Sequence, residues 1–298
     1  MDGAPPLLFD RALHRLRLRR AARGGYAGFL KRRAAEDAAE RLSDILRDFP
    51  LTVDLGARDG AFARALASTP AAARVGTVIE ADLSPELLAG RPGPRVVADE
   101  ERLPFAPGSL HLVVSLLTLH WTNDLPGALS QIRRALRPDG LFIGAFLGGA
   151  TLTELRQSLL AAEAEVLGGA GPRVSPFADG VDAAGLLQRA GFALPVSDVD
   201  RVTVRYEHPL RLMADLRAMG ETSVLRDRPS RPLTRAVLAR AFGIYAERFG
   251  EAGGRIPATF EIVTATGWAP SPSQQQPLKP GSARVRLADA VGGTEHSL

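Results

Sequence analysis

Three acidic residues follow apolar runs at places that would bring them to one edge of a parallel sheet. Asp54 lies in the segment VDLGARDG, in which a hydrophobic run enters a glycine turn, and Asp82 and Asp99 stand at the ends of the next two apolar runs. A glycine turn lets the backbone approach a ligand closely at the carboxyl end of a strand. Carboxylates accept hydrogen bonds from ribose hydroxyls and from an adenine amine. The ordered set predicts a nucleoside pocket, although the glycine turn alone also fits a plain strand-to-helix connection.

Each of the later acids has a second interpretation. Asp82 could cap a helix that begins at Ser84-Pro85, and Glu80 is an alternative partner for the sugar. Asp99 opens the segment DEERLPF, in which Glu100 is a further candidate for the nucleoside pocket. The alternative for this segment is a solvated acidic loop.

The segment SLLTLHW, residues 115–121, follows the fourth predicted strand and should line the substrate side. We expect Ser115 to contact the cofactor. His120 is a candidate general base or orienting group, and its alternative is a structural, hydrogen-bonded histidine. Trp121 could stack on a substrate or face a cation, and core packing is the alternative. Neither residue is assigned as the catalytic group from the sequence.

Other catalytic chemistries have little support in the sequence. The chain has no cysteine, which excludes disulfides, thiolate metal sites and a cysteine nucleophile. Its five histidines form no H-x-D/E or H-E-x-x-H pair, so no metal site is predicted, although acids and single histidines could still converge in space. No Ser-His-Asp arrangement is readable.

The positive charge is concentrated at the amino terminus. Residues 1–33 carry nine lysines and arginines against two aspartates, within a chain whose net charge is +4. The remainder is slightly acidic and the basic arm has no interleaved aromatic residues, so nucleic-acid binding is not expected. The arm could bind an acidic partner, a carrier protein or, peripherally, a membrane surface. We favour a helix that lies across the pocket as a lid.

Hydrophobic periodicity predicts strands that alternate with helices, as in βαβ units. A helical region over 8–48 should break at Gly24-Gly25. The predicted strands are Leu51–Leu55, Val75–Ala81, Arg95–Ala98, Leu110–Ser115, Leu141–Leu147, Val196–Tyr206 and Thr259–Gly267. The predicted helices are Ala61–Ala67, one beginning at Ser84-Pro85-Glu86, one from Asn123-Asp124-Leu125-Pro126 through Leu136, Thr151–Leu167, Asp182–Arg189, Pro209–Met219 and Leu233–Arg248.

Composition divides the chain into four segments. These are a basic helical arm (1–48), a nucleoside-binding half (49–150), a second half of the same domain with a helical insertion (151–268), and a linker and tail (269–298). Within the tail, Ala283–Leu287 could pair as an edge strand. No apolar run is long enough to span a membrane and no signal-type segment is readable, so a bacterial, cytoplasmic protein is expected.

The glycine turn resembles the D-x-G-x-G-x-G turn of class I methyltransferases, which bind S-adenosylmethionine. Asp54, Gly56 and Gly60 match it, while Arg58 takes the place of the middle glycine. The Arg58 side chain must then point away from the ligand, or the pocket is remodelled. The segment that begins at Asp99 resembles the D-A-E-x-L-P-F segment whose aspartate faces the adenine amine in such enzymes.

Over nearly its full length the chain also resembles the methyltransferase-like arginine hydroxylases that assist assembly of respiratory complex I. The matching segments are Phe9-Asp10-Arg11, Leu55-Gly56, Ala98–Glu101 with Leu103-Pro104-Phe105, Leu119–Pro126, Arg137–Gly140, Gly148-Gly149, Ser175-Pro176-Phe177, Met219-Gly220-Glu221, Pro257-Ala258-Thr259 and Gly281-Ser282-Ala283. The matches beyond residue 150 are more specific than the cofactor turn, which many unrelated enzymes share.

This resemblance implies an α/β, Rossmann-like class I methyltransferase fold. Its sheet would be seven-stranded and mostly parallel, with helices on both faces, a helical amino-terminal lid and a helical insertion. It also implies S-adenosylmethionine as cofactor and hydroxylation of an arginine on an iron–sulfur subunit of complex I. Two alternatives stay open: an O-methyltransferase of a carrier-bound acid, with an acyl carrier protein as partner, and a non-catalytic assembly chaperone.

Overall fold

The strands in the described part of this chain form one seven-stranded sheet. The computed structural model describes residues 7–175, 183–229 and 231–275, together with Ser282 and Val285. The strands are β1 (Phe49–Leu55), β2 (Val75–Asp82), β3 (Arg95–Val97), β4 (Leu110–Leu116), β5 (Leu136–Leu147), β6 (Ala193–Tyr206) and β7 (Ile256–Trp268). Their order across the sheet is β3-β2-β1-β4-β5-β7-β6. Strands β1 to β5 run parallel, whereas β7 pairs antiparallel with both β5 and β6.

Helices cover both faces of the sheet. They are α1 (Arg11–Gly24), α2 (Phe29–Ser43), α3 (Ala61–Ala67), α4 (Pro85–Leu88), α5 (Leu125–Ala135), α6 (Thr153–Leu167), α7 (Ala183–Arg189), α8 (Pro209–Met219) and α9 (Arg235–Phe249). Two begin at aspartate caps: Asp10 accepts a hydrogen bond from the Leu13 amide at 2.9 Å, and Asp124 accepts one from the Gly127 amide at 2.8 Å. No helix in the described part of the chain is long and apolar enough to cross a membrane.

Alternation along the buried strands builds two apolar cores. On β4, Val113 joins the core that contains α5 and α7, and its neighbour Val114 joins the core that contains α2, α3, α6, α8 and α9. A strand buried on both faces reads as a continuous apolar run, which is typical of parallel sheets. This arrangement places the carboxyl ends of β1, β2 and β4 side by side.

The direction in which successive strands are added reverses between β1 and β4. Strands β2 and β3 extend the sheet from one side of β1, whereas β4 and β5 extend it from the other side. Ligands of open α/β sheets bind outside the carboxyl ends of the strands at such a switch point. The glycine turn after β1, Asp82 at the end of β2 and the SLLTLHW segment after β4 all lie at this edge.

The predicted fold class is confirmed, including the lid and the helical insertion, and the break between α1 and α2 at Gly24-Gly25 is present. One turn differs. Residues 137–140 lie within β5, as a bulge at which the register against β4 shifts and Asp139 has a φ of 62°. The edge strand predicted over Ala283–Leu287 lies almost wholly outside the described residues. The four-segment division remains a prediction.

Candidate nucleoside and substrate site

The turn after β1 has the backbone conformation that its glycines suggest. Gly56 and Gly60 have φ values of 77° and 72°, in the left-handed region. A Cβ on Gly56 would lie 2.6 Å from the Thr118 hydroxyl oxygen, so that position also needs glycine for lack of space. Arg58 lies between them with a φ of 53°, which is unusual for a residue with a side chain.

Arg58 points into the predicted pocket and not away from it. Its Nη1 donates to Asp82 Oδ2 at 2.9 Å, and its Nη2 donates to Thr118 Oγ1 at 2.7 Å. The side chain is fully buried. Burial is the largest single effect and opposes its charge, but Asp82, Tyr26, Glu100 and Glu221 together more than offset it and raise the pKa of Arg58. The structure therefore shows the remodelled pocket, the second of the two outcomes expected for an arginine at this position.

Asp82 is the carboxylate predicted to bind the ribose, and in this structure it is fully engaged within the protein. Oδ2 accepts from the backbone amide of Arg58 as well as from its guanidinium, and Oδ1 accepts from the Ser84 amide at 2.9 Å. The Ser84 contact is not a helix cap, because Ser84 itself is the N-cap residue of α4 and Asp82 bonds to its amide. Glu80, the alternative sugar partner, is held by Arg91, whose Nε lies 2.5 Å from Oε2.

The acidic segment after β3 is closed by the amino-terminal lid. Arg11 Nη2 donates to Asp99 Oδ1 at 2.7 Å and to the buried carboxylate of Glu100, and Nη1 donates to the Trp121 carbonyl at 3.2 Å. Asp99 keeps 34% of its side-chain surface exposed, so it is not a fully solvated loop residue. Glu100 also accepts from the Thr118 hydroxyl, which links this pair to Arg58.

Asp54 lies beneath the glycine turn beside a residue that sequence reasoning missed. Its carboxylate is fully buried, and neither oxygen has a hydrogen-bond partner among the described residues. Lys31 of α2 reaches the same place, where its Nζ donates to the carbonyls of Gly56 and Leu116, both at 2.6 Å. Burial raises the pKa of Asp54 to about 6, against the opposing charge of Lys31. Burial also lowers the pKa of Lys31 to about 8.

The sequence did contain a signal for Lys31. It is one of only two lysines among 37 basic residues, and it is buried although charged residues are rarely buried without a specific role. Its two bonds tie the turn after β1 to the end of β4. Ser115, in contrast, lies within the sheet and donates to the Leu55 carbonyl at 3.1 Å, so its hydroxyl is already used next to the turn.

His120 and Trp121 share one carboxylate, that of Glu221. His120 Nε2 and Trp121 Nε1 lie 3.0 and 2.8 Å from Glu221 Oε2. The Trp121 ring is buried and packs against Phe9 and His14, each at a centroid distance of 5.3 Å. Trp121 is therefore a wall of the site, and Glu221 is the group that sequence reasoning did not place there.

A cavity of about 210 Å³ opens on the other side of Trp121. Its apolar lining comes from α6 and α8 with three further residues, and consists of Leu152, Leu155, Leu159, Val174, Met213, Leu216 and Leu233. Its polar lining consists of Arg173, Ser175, Arg217, Glu221, Thr222 and Ser223. The site thus has a polar half, rich in arginine–carboxylate pairs, and an apolar half, with Trp121 between them. Within the described ranges, no group of three His, Asp or Glu side chains could hold a metal ion.

Comparisons with known proteins agree with this geometry. A family described as a methyltransferase domain matches residues 53–144. Arginine-hydroxylase NDUFAF5, mitochondrial, of Danio rerio is 42% identical over 266 residues, covering 88% of this chain and 81% of the relative. The human protein of the same name is 40% identical over 290 residues, covering 95% and 83%. The malonyl-[acyl-carrier protein] O-methyltransferase of Laribacter hongkongensis is 34% identical over 290 residues, covering 92% and 91%.

Among solved structures, the YcgJ protein of a Bacillus species superposes with a TM-score of 0.53 at 13% identity, covering 80% of this chain and 99% of its own. At that identity the likeness concerns the fold alone. The expected cytoplasmic location is wrong on these comparisons, since the matching arginine hydroxylases are named as mitochondrial proteins.

Proposed function

The chain belongs to the NDUFAF5 arginine-hydroxylase family of the class I S-adenosylmethionine-dependent methyltransferases, and we propose that it hydroxylates an arginine on an iron–sulfur subunit of respiratory complex I. The observation that carries the proposal is the extent of the likeness. The match at 40% identity covers 95% of the chain, so it extends over the region of α6 and α8, beyond the methyltransferase domain at 53–144. Those elements build the apolar half of the site.

S-adenosylmethionine is the cofactor of this superfamily, and the residues at the switch point fit it. The buried Asp54 carboxylate, whose oxygens have no hydrogen-bond partner among the described residues, is a feature that a nucleoside ligand would explain. We propose that Asp82 accepts the ribose hydroxyls and Asp99 the adenine amine, with Gly60 and Glu100 beside them. Arg58 must leave Asp82, and Arg11 must leave Asp99, before these bonds can form. When bound, S-adenosylmethionine supplies an activated methyl group on a sulfonium.

Hydroxylation exchanges a C–H bond of the substrate for C–OH, a two-electron oxidation. Dioxygen with an external reductant is the class of co-substrate that would balance it. The residues around Trp121 would hold the substrate, and α1, as the lid, would exclude water. His120 and Trp121 are assigned here to orientation through Glu221.

Methylation of a carrier-bound acid is the second candidate. Two observations favour it: the Laribacter hongkongensis relative, which covers 92% of this chain, and two arginines in the cavity lining, Arg173 and Arg217. Guanidinium groups bind carboxylates. Arg173 is already paired with Glu163, however, at 2.6 Å. An assembly chaperone without catalysis is the third, and it is supported by the Arg58–Asp82 pair if that pair never opens.

Mass spectrometry of the complex I iron–sulfur subunit separates the three. The subunit is taken from cells that lack this protein and from cells complemented with the wild type, with Asp82→Asn, or with the exposed control Glu247→Gln. We expect an arginine to carry one additional oxygen only with the wild type and the control. A methyl group in place of the oxygen would establish a methyltransferase. An arginine of equal mass in all strains would refute modification of this subunit.

A further inference from the structure

The cavity beyond Trp121, which we call the slot, has walls and a volume that suit a long side chain. Its walls are leucines of α6 with Met213 and Leu216 of α8, and its volume is about 210 Å³. Apolar walls with a few convergent polar groups are typical of ligand sites. Trp121 closes one end and separates the slot from the nucleoside half, where its carbonyl accepts from Arg11. A side chain in the slot would therefore meet the cofactor side at Trp121.

Glu221 provides a fixed negative charge at that end. His120 and Trp121 both bond to Oε2, and within the described residues Oε1 takes neither of these bonds. Only 11% of the Glu221 side chain is exposed. A carboxylate so far removed from water needs a cation or several hydrogen-bond donors. His120 and Trp121 orient the carboxylate through Oε2, and the nearby charge of Arg58 balances part of its own. Oε1 accepts no hydrogen bond from a described residue and is left for a ligand.

Three hydroxyls add further acceptors around the same space. Ser175, Thr222 and Ser223 all line the cavity, and each side-chain oxygen is buried without a hydrogen-bond partner among the described residues. Ser175 is 3% exposed. Buried polar atoms are normally paired, so three unpaired hydroxyl oxygens on residues that line one cavity are a feature that a bound ligand would explain. The ligand that complements a carboxylate and three hydroxyls is one rich in N–H donors.

A guanidinium group has five N–H donors and no acceptor, on a stem of three methylenes. The stem suits the leucine walls, because arginine buries its apolar part while its head is hydrogen-bonded. We propose that this slot binds the side chain of the arginine that the enzyme modifies, with the guanidinium on Glu221 Oε1 and the three hydroxyls. The assignment rests on the proposed function and adds the residues that select arginine.

The two arginines of the lining do not oppose this. Arg173 forms an ion pair with the buried Glu163, so the pair brings no net charge. Arg217 is exposed at the rim, where water screens it. Arg173 and Arg217 are also the residues that would bind the rival ligand, the carboxylate of a carrier-bound acid. The experiment therefore includes malonate as a probe.

The test is an NMR titration that follows the indole N–H resonance of Trp121. This N–H donates to Glu221, so its resonance reports on binding at that carboxylate. The probes are a peptide of glycine and serine with one central arginine, the same peptide with citrulline or lysine at the centre, and malonate. The proteins are the wild type, Glu221→Gln and the control Glu247→Gln, whose side chain is 62% exposed. Citrulline keeps the shape of arginine but is neutral.

We expect the arginine peptide to shift the indole resonance saturably in the wild type and the control. Citrulline and Glu221→Gln should each weaken binding at least tenfold, with little further loss when combined, because both remove the same contact. Should Glu221→Gln not fold, Leu155→Phe fills the slot and leaves Glu221 in place, and it should weaken binding of the arginine peptide likewise.

Equal affinity for arginine and citrulline would overturn the assignment, as would an arginine peptide that leaves the Trp121 resonance unmoved. Saturable binding of malonate without binding of arginine would overturn it in favour of an acid site. Mass spectrometry of the iron–sulfur subunit is independent of this result. If the subunit carries an arginine with one additional oxygen, but the peptide binds Glu221→Gln as tightly as the wild type, the slot assignment is refuted and the proposed function stands.

Discussion

Replacing Arg58 by glycine should strengthen binding of S-adenosylmethionine. In the structure, the Arg58 guanidinium occupies the carboxylate that we assign to the ribose and also bonds to Thr118. The substitution frees Asp82 and removes a cation that would face the positively charged sulfonium. Glycine also adopts the left-handed conformation found there, a φ of 53°, without strain.

The magnitude follows from the population of the open state. A hydrogen bond between charged groups contributes about 1.5–3 kcal/mol to the state that contains it. If opening costs that amount, the measured dissociation constant is raised by the inverse of the open fraction. Arg58→Gly should then lower the dissociation constant by about 10- to 150-fold.

Stability of the ligand-free protein should change in the opposite direction. Removing one partner of a buried ion pair costs about 3–5 kcal/mol, because the remaining charge is left uncompensated. Asp82 keeps two backbone amide partners, those of Arg58 and Ser84, and water would enter the space left by the guanidinium, so the loss should be at the lower end. Saturating S-adenosylmethionine should restore much of it by mass action.

The assay is calorimetric titration together with thermal unfolding in the presence and absence of ligand. Arg64→Ala is the matched control, because Arg64 is 58% exposed, pairs with Asp59 and does not contact Asp82. In the double variant Arg58→Gly/Asp82→Asn the gain should disappear. Unchanged binding by Arg58→Gly would refute the reasoning. Weaker binding would also refute it and would make Arg58 a direct ligand of the cofactor.

Three further substitutions test the surroundings of the pocket. Burial, with the neighbouring guanidinium groups, holds the pKa of His14 well below 6.5, so the wild type should lose stability as the pH falls below 6.5. Urea unfolding at a series of pH values should show that the wild type loses about 1.4 kcal/mol more unfolding free energy per pH unit than His14→Gln does. Parallel pH profiles of the two proteins would contradict this. Lys31→Met should raise the pKa of Asp54 above its value of about 6, because the Lys31 ammonium lowers it. Carboxyl ¹³C NMR measures this pKa. An unchanged titration midpoint of Asp54 would show that Lys31 does not act on it. Arg11→Gln should speed amide hydrogen exchange in α1 by releasing the lid, whereas exposed Arg15→Gln should not, and equal rates would show that the lid is held otherwise.

Local patterns in the sequence were enough for the fold and for the acids of the pocket. Apolar runs separated by helical segments, a glycine turn and a Ser-Pro helix start depend on short-range sterics and on burial, which neighbours in the chain report. Hence α3 and α8 have their predicted bounds, and Asp54, Asp82 and Asp99 stand at the expected edge of the sheet. The bulge at Asp139 was missed because its φ depends on pairing with β4, far away in the chain.

The contacts that govern the site were decided only by the tertiary structure. Lys31 bonds to the Gly56 carbonyl, Arg11 to Asp99, and Trp121 to Glu221. The partners in these three contacts are 25, 88 and 100 residues apart in the sequence. A long side chain has many rotamers, and which carboxylate or carbonyl it meets is fixed by how the helices pack, a non-local property. The sequence determined that acids would gather at the switch point. Tertiary packing decided that arginines of the chain itself, Arg58 first among them, would occupy those acids.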